Sequence, residues 1–343
     1  MAASAPSTAL VVTTISPVNA VLQSLAEGAE KHGLDFVVVG DTKSPDDFEL
    51  DHCDYYGIAA QRELGLAFAD ACPERHYARK NIGYLVAIRK GARVIIETDD
   101  DNIPTDAFFQ PLPRETQAAE LTGTGWCNVY DYYLSQGSCW PRGLPLDVVM
   151  GTAPDLPAAG KVIAPIQQGL ADENPDVDAI FRLTRQLPIH FDTDEKRVAL
   201  GNGSWCPYNS QNTVHYSEAF PLLYLPAHCS FRMTDIWRSF VSQRIAWTCG
   251  WSILFREATV RQDRNEHDLM RDFADEIPGY LNNRAIGAAL DALDLEAGVA
   301  AIPENMRRCY RQLVADGHVG EAELPLLDAW LTDLETLGIL ASV

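Results

Sequence analysis

The sequence predicts an α/β protein, built on a sheet of mainly parallel strands and completed by a helical C-terminal subdomain. Three observations carry that reading. Apolar strand-like runs alternate with helical periodicity through the first hundred residues, a run of carboxylates follows the third apolar strand directly, and an apolar stripe at helical spacing lies close to the C-terminus.

The elements follow in order. Ala9 to Thr14 (ALVVTT) is a continuous β-branched run that reads as a strand buried on both faces, and Ser16-Pro17 then opens a helix carrying Val18, Val21, Leu22 and Leu25. Gly33 ends that helix. Phe36 to Val39 forms a second strand, followed by the turn-rich Gly40 to Pro45. Tyr77 to Arg89 has helical spacing, Gly91 stops it, and Arg93 to Glu97 is a third strand running into Thr98-Asp99-Asp100-Asp101-Asn102. In such a sheet, ligands bind beyond the carboxyl ends of the strands. Pro104 to Pro226 is rich in Pro, Gly, Trp and Tyr and is expected to be loops and short strands, with helical period only over Val177 to Leu187. The pattern turns helical after Ser230, and Leu324, Leu327, Trp330, Leu331 and Leu334 form the stripe of a packed helix. A division into a catalytic domain over 1–275 and a helical subdomain over 276–343 is expected.

Composition narrows the function classes. Of 343 residues 47% are hydrophobic and 22% charged, as in ordinary globular proteins, and the formal charge of −21 disfavours general binding to nucleic acid or anionic lipid. No apolar run approaches the roughly 18 residues of a membrane span. Met1 to Thr8 lacks the basic flank of a secretory signal, so a cytoplasmic location is expected. The eight cysteines show no Cys-x-x-Cys spacing and are expected to be free thiols. Neither GxGxxG nor GxxxxGK[ST] occurs.

Several residues stand out chemically. Three consecutive carboxylates repel one another, and a hard divalent ion, Mn2+ or Mg2+, would relieve that repulsion while leaving coordination positions for a diphosphate. In an extended segment Asp99 and Asp101 face the same way, as a DXD metal pair; the run also reads as a solvated acidic turn. Arg79, Lys80 and Asn81 precede the helix leading to that strand, where cations would suit a diphosphate, and Asp41 and Lys43 follow the second strand where a nucleoside would be read. Asp235 opens a helix, either as a general base toward an acceptor hydroxyl or as an acid on the helix dipole. Gln243, Arg244 and Trp247 lie on neighbouring turns of that helix, either around a substrate or in the core. Asp176 and Asp178 either point into a cleft or begin a helix, and Asn209, Gln211 and Asn212 suit sugar hydroxyls or a turn. His267 is a further metal-ligand candidate or a surface histidine.

Together these segments resemble the STELLO glycosyltransferase family, whose catalytic domain is similar to nucleotide-sugar transferases of the GT-A type. The resemblance lies in VVVGDTKSP (Val37 to Pro45), YARKNIGYLVAIRKGA (Tyr77 to Ala92), the run at Asp99 and CWPRGLPL (Cys139 to Leu146). It continues through PIQQGLADENPDVDAIFRLTR (Pro165 to Arg185), PYNSQNT (Pro207 to Thr213), DIWRSFVSQRIAW (Asp235 to Trp247) and the helical tail around LLDAWLTDLETLGI. It implies a GT-A-like, Rossmann-like fold and a manganese- or magnesium-dependent transfer of sugar from a UDP- or GDP-sugar to an acceptor hydroxyl. Asp99 and Asp101 would ligate the metal, with His267. Asp41, Lys43, Arg79, Lys80, Asn81, Asp99 and Asp100 would bind the donor. Asp176, Asp178, Asn209, Gln211, Asn212, Gln243, Arg244 and Trp247 would line the sugar and acceptor pocket, with Asp235 as base. A more distant resemblance to the reversibly glycosylated polypeptides implies nucleotide-sugar mutase activity as the alternative, and a scaffold without catalysis is a third reading.

Overall fold

The computed structural model describes residues 7–265 and 268–340. The strands are β1 (Thr8–Thr13), β2 (Asp35–Val39), β3 (Asp54–Tyr56), β4 (Val94–Thr98), β5 (Asn102–Pro104), β6 (Glu115–Leu121), β7 (Gly125–Trp126), β8 (Gly160–Ile163), β9 (Ile166–Asp172), β10 (Arg197–Leu200), β11 (Ser204–Trp205), β12 (Asn212–Tyr216) and β13 (Ile253–Gln262). The helices are α1 (Ala20–His32), α2 (Ile58–Arg62), α3 (Ala67–Ala71), α4 (Lys80–Arg89), α5 (Ala179–Thr184), α6 (Thr234–Thr248), α7 (Leu269–Asp291), α8 (Ile302–Ala315) and α9 (Glu323–Thr336).

The first strands form as the sequence predicts. In β1, Ala9 and Val11 enter the core on one side of the sheet while Leu10 and Val12 enter the core on the other, so both faces are buried and the run needs no polar alternation. Asn19 caps α1 by accepting a hydrogen bond from the Leu22 amide, and Gly33, at φ 69°, ends it in the left-handed conformation that glycine adopts without strain. Helix α4 lies close on the sheet through Gly83, where a Cβ would come within 2.6 Å of Val11. The segment expected as one helix from Tyr77 begins as a 3-10 turn over Tyr77–Arg79 before α4.

The main sheet runs β3-β2-β1-β4-β12-β9-β13-β10-β6-β8, with β5 paired to β13, and β7 and β11 form a separate small ladder. Strands β3, β2, β1 and β4 are parallel, β12 is antiparallel to both of its neighbours, and β9 and β13 are parallel to each other. The carboxyl ends of β1, β2, β4, β9 and β13 therefore share one edge of the sheet with the amino end of β12. The architecture is α/β, a large parallel-rich sheet with helices.

Two expectations are corrected here. The chain after Ser230 is not uniformly helical, because β13 inserts a ten-residue strand. Its period is broken by register shifts around Ala258, which hide the alternation. The expected boundary at 275/276 falls inside α7. The C-terminal helices share the core of the sheet: Leu327, Trp330, Leu331 and Leu334 of α9 are buried, and Asp333 accepts hydrogen bonds from the Ala67 and Phe68 amides at the start of α3. All eight cysteines are free thiols. Among the described residues no helix is long and apolar enough to cross a membrane.

Candidate functional site

A cleft of about 700 Å³ opens along the shared sheet edge. Thr13 at the end of β1 with Thr14 and Ile15 beyond it, Asp41 and Lys43 after β2, and Asp99, Asp100 and Asp101 after β4 line one end. Arg142, Asp176, Arg182, Arg232, Asp235 and Arg264 line the other.

The acidic run is held from beneath. Lys80 is fully buried, and its ammonium donates to Asp99 Oδ1 (3.0 Å), the Thr98 carbonyl (2.7 Å), the Ser210 carbonyl (3.0 Å) and the Tyr77 hydroxyl (2.9 Å). Tyr77 in turn donates to Asp99 Oδ1 at 2.7 Å. Thr14 donates its hydroxyl proton to Asp100, and Asn19 donates to the Asp100 carbonyl. Gln262, at the end of β13, donates to Asp101 Oδ2 at 3.1 Å. Burial raises the Asp100 carboxyl above its ordinary range against the hydrogen bond from Thr14, and burial followed by the charge of Asp99 pushes Asp101 up to about 7. The lone ammonium of Lys80 thus leaves the cluster under-neutralised.

The far end is organised differently. Arg142 donates to both oxygens of Asp176 (2.9 and 2.8 Å) and to both oxygens of Asp235 (3.1 and 3.0 Å), a double fork with all three groups nearly buried. Asn209 adds a 3.1 Å hydrogen bond to Asp176, and the Ser210 amide one to Asp235. Burial alone would raise the Asp235 carboxyl, but the charge and hydrogen bonds of Arg142 hold it well below the usual carboxylate range. The general-base role expected of Asp235 meets this clamp: a carboxylate whose two oxygens both accept from Arg142 is a weak base. The two ends are linked, since Ser210 Oγ lies 2.7 Å from the Tyr77 hydroxyl and 3.4 Å from Asp235 Oδ2. Below them Arg238 of α6 pairs with the buried Glu97 of β4 at 2.8 Å, tying the helix that carries Asp235 to the strand that carries the acidic run.

The other expected residues divide by position. Gln211 reaches the cleft, and Asn209 stands behind Asp176. Asp41 lines the cleft while accepting the amides of Thr42, Arg75 and His76, so it also fixes the loop that leads to Tyr77; Lys43 is exposed beside it. Arg79 does not face the cleft: its guanidinium is buried against Gln61 and the Cys72 carbonyl. Lys80 supports the site from below. Asn81 exchanges two hydrogen bonds with the Leu225 backbone, and Asn212 donates to the Leu170 carbonyl and to Thr259 inside the sheet. Asp178 caps α5 through the Phe181 amide and accepts from the Trp140 indole. Gln243 bonds the Cys206 amide, Arg244 donates to the Leu290 and Leu293 carbonyls at the end of α7, and Trp247 packs on Trp205. These three belong to the packing of α6, which is buried on nearly every side. His267 lies outside the described residues.

Sequence reasoning missed Tyr77, Ser210, Gln262 and the arginines Arg142, Arg182, Arg232 and Arg264. Arg142 sits within CWPRGLPL and Arg182 within the stretch after β9, but nothing local marks either as facing a cleft. For a metal, no group of three or more His, Cys, Asp or Glu side chains is poised to hold an ion among the described residues. The donor set that is present, adjacent carboxylates with no sulfur or imidazole, is the hard oxygen chemistry that Mg2+ and Mn2+ take, and such ions commonly keep only one or two protein ligands.

A solved structure described as a crystal structure of a mycobacterial protein aligns with a TM-score of 0.41 at 10% identity, covering 82% of this chain and 75% of that one. The family model for STELLO glycosyltransferases matches residues 232–342. Two Arabidopsis thaliana proteins are similar: probable glycosyltransferase STELLO2, 29% identical over 337 residues, and probable glycosyltransferase STELLO1, 30% identical over 330 residues. Each alignment covers 89% of this chain and 42% of the relative, so the chain spans about two fifths of their length. The family that the sequence resembles is thus the one the comparisons return, and this chain is similar to the STELLO glycosyltransferases along most of its own length.

Proposed function

We propose that the chain is a metal-dependent glycosyltransferase that moves a sugar from a nucleoside-diphosphate sugar to an acceptor hydroxyl. The observation that carries this reading is the under-neutralised carboxylate run at the end of β4, which shares one cleft with the arginine-clamped acids of the far end. Asp99 and Asp101 would hold Mn2+ or Mg2+. Once bound, such an ion acts as a Lewis acid on the donor diphosphate and stabilises the departing nucleoside diphosphate.

The chain's own residues then have distinct tasks. Lys43 and Arg75 supply positive charge at the end where the nucleotide enters, and Thr14 and Tyr77 hold two of the three carboxylates in place. Gln211 faces the sugar and acceptor region, and Asp176 and Asp235 hold Arg142 rigid beside it. Because Arg142 occupies both oxygens of Asp235, the acceptor proton would pass to another base, such as an oxygen of the departing diphosphate, as the anomeric carbon breaks its bond to the diphosphate oxygen and bonds the acceptor oxygen.

The test is a thermal-shift screen with UDP, GDP, CDP and dTDP and their common sugars, each with and without manganese. A ligand that binds only the folded chain adds about 2.7 kcal/mol at a hundred times its Kd, so a manganese-dependent rise with one nucleotide is the expected result. No rise with any nucleotide, in folded protein, overturns the reading. Ring-isomerised product from a nucleotide sugar incubated without acceptor would replace transfer by mutase activity.

A further inference from the structure

The far end of the cleft carries an arginine that the transfer reaction leaves unexplained. Arg182, Arg232 and Arg264 line it together. Arg232 pairs with Glu276 at 2.8 Å, and Arg264 with Asp272 at 2.8 Å. Arg182 has no carboxylate partner among the described residues; its guanidinium donates only to the Asn174 side chain (3.1 Å) and the Pro175 carbonyl (2.9 Å), both neutral. Its Nε is buried without any hydrogen-bond partner. A buried cationic donor left unpaired is costly, and in a native protein it calls for an explanation, a bound ion among them.

The nearby acids answer that charge only in part, through Asp176 and Asp272 at a distance and not by a direct ion pair. Asp176 and Asp235 are taken up by Arg142, Asp268 caps the first turn of α7, and Asp275 pairs with Arg271. The arginines also act on one another. Burial and then the charge of Arg264, with Arg232 behind it, bring Arg182 down to about 9, and burial and then Arg232 lower Arg264. Arginines and aspartates alternate along this part of the cleft, and Arg182 is the arginine among them that no carboxylate of the described residues pairs directly.

We propose that the substrate seated at the far end of this cleft carries an anionic group, a phosphate or a carboxylate, which docks on Arg182 with Arg232 and Arg264 around it. The planar guanidinium of Arg182 lines the cleft and would offer its N–H groups to such an oxyanion. The anion would lower the mutual repulsion of the three cations. The inference rests on the proposed transfer reaction only for the role of that substrate. The anion is part of the acceptor or part of the donor sugar, as in a uronic acid.

The experiment is a calorimetric titration of inorganic phosphate into the full chain saturated with UDP and manganese, compared between wild type, Arg182→Gln and Arg264→Gln. The expected result is phosphate binding that weakens at least tenfold in Arg182→Gln and less in Arg264→Gln, with UDP affinity unchanged in both. Equal phosphate affinity in wild type and both variants overturns the proposal, as does wild-type protein that binds no phosphate up to about 20 mM, a concentration that would detect even a very weak site. If Arg182→Gln does not fold, Arg264→Gln and the wild-type titration decide. Two pairs of probes then locate the anion: UDP-glucuronate against UDP-glucose for the donor, and glycerol 3-phosphate against glycerol for the acceptor. If UDP fails to bind while phosphate binding still depends on Arg182, the transfer reading falls and the anion site stands.

Discussion

The two ends of the cleft use aspartate in opposite electrostatic states. After β4, three carboxylates stand side by side with one buried ammonium for support, and Asp101 is pushed up to about 7. At the far end Asp176 and Asp235 share one guanidinium, and Asp235 is held well below its ordinary range. The difference teaches that carboxylate function in this cleft is set by the partner rather than by the residue. An acid short of positive charge is suited to receive a cation, and an acid saturated by arginine is suited to hold that arginine still. The Tyr77–Ser210 contact joins the two ends.

The comparison breaks most sharply at Arg142. Removing it in Arg142→Ala leaves two nearly buried carboxylates without their cation, and a loss of about 3–5 kcal/mol is expected in denaturant unfolding. Combining Arg142→Met with Asp176→Asn and Asp235→Asn should restore a large part of that loss; a triple variant as unstable as Arg142→Ala would refute the clamp. The acidic end should respond in activity instead. Asp99→Asn, whose amide oxygen can still accept from Tyr77 and Lys80, is expected to slow transfer about a hundredfold or more, about 2.7 kcal/mol of barrier, with a smaller loss of stability than Arg142→Ala. An unchanged rate would remove the run from the chemistry.

The same contrast appears in pH dependence. The folded-state pKa of Asp101 lies near 7, above its ordinary 3.8, so the folded form binds this proton more tightly. Its contribution to stability is fully present below about pH 4 and is lost as pH rises toward 7. Asp101→Asn should therefore stabilise the metal-free protein at pH 8 by on the order of 2 kcal/mol while changing little at pH 4. Asp235 has the reverse sign: its depressed folded pKa stabilises the protein above the ordinary carboxylate pKa, and that stability is lost on acidification below it. Melting temperatures of Asp101→Asn and Asp235→Asn across pH 3 to 8 should diverge in opposite directions.

The acidic end was legible because its parts are consecutive in the chain or follow strands recognisable by their apolar runs. The far end was not, because its partners are distant: Arg142 meets Asp176 across 34 positions and Asp235 across 93. Residue type alone named the two aspartates but not the cation that decides what they do. Helix α6 misled in another way. Gln243, Arg244 and Trp247 lie at substrate-like spacing, but α6 is packed on nearly all sides, and its polar groups bond backbone at the ends of neighbouring elements. In β13 the bulges around Ala258 broke the period that would have marked a central strand.

The smallest expected effect separates two acids that the sequence presents as a pair. Asp176 and Asp178 stand two residues apart, but only Asp176 lines the cleft; Asp178 spends its oxygens on the Phe181 amide and the Trp140 indole. Loss of an N-cap costs about 1 kcal/mol, so Asp178→Ala should destabilise the protein modestly and leave the KM for donor and acceptor unchanged. The sign of its pH dependence follows from burial, which pushes the Asp178 carboxyl up to about 6. The protonated acid is favoured in the folded chain, so the gap between wild type and Asp178→Ala should be widest near pH 4 and shrink as pH passes 6. A variant whose KM rises while its stability is unchanged would move Asp178 into the cleft beside Asp176, and the division between clamped and structural acids would have to be redrawn there.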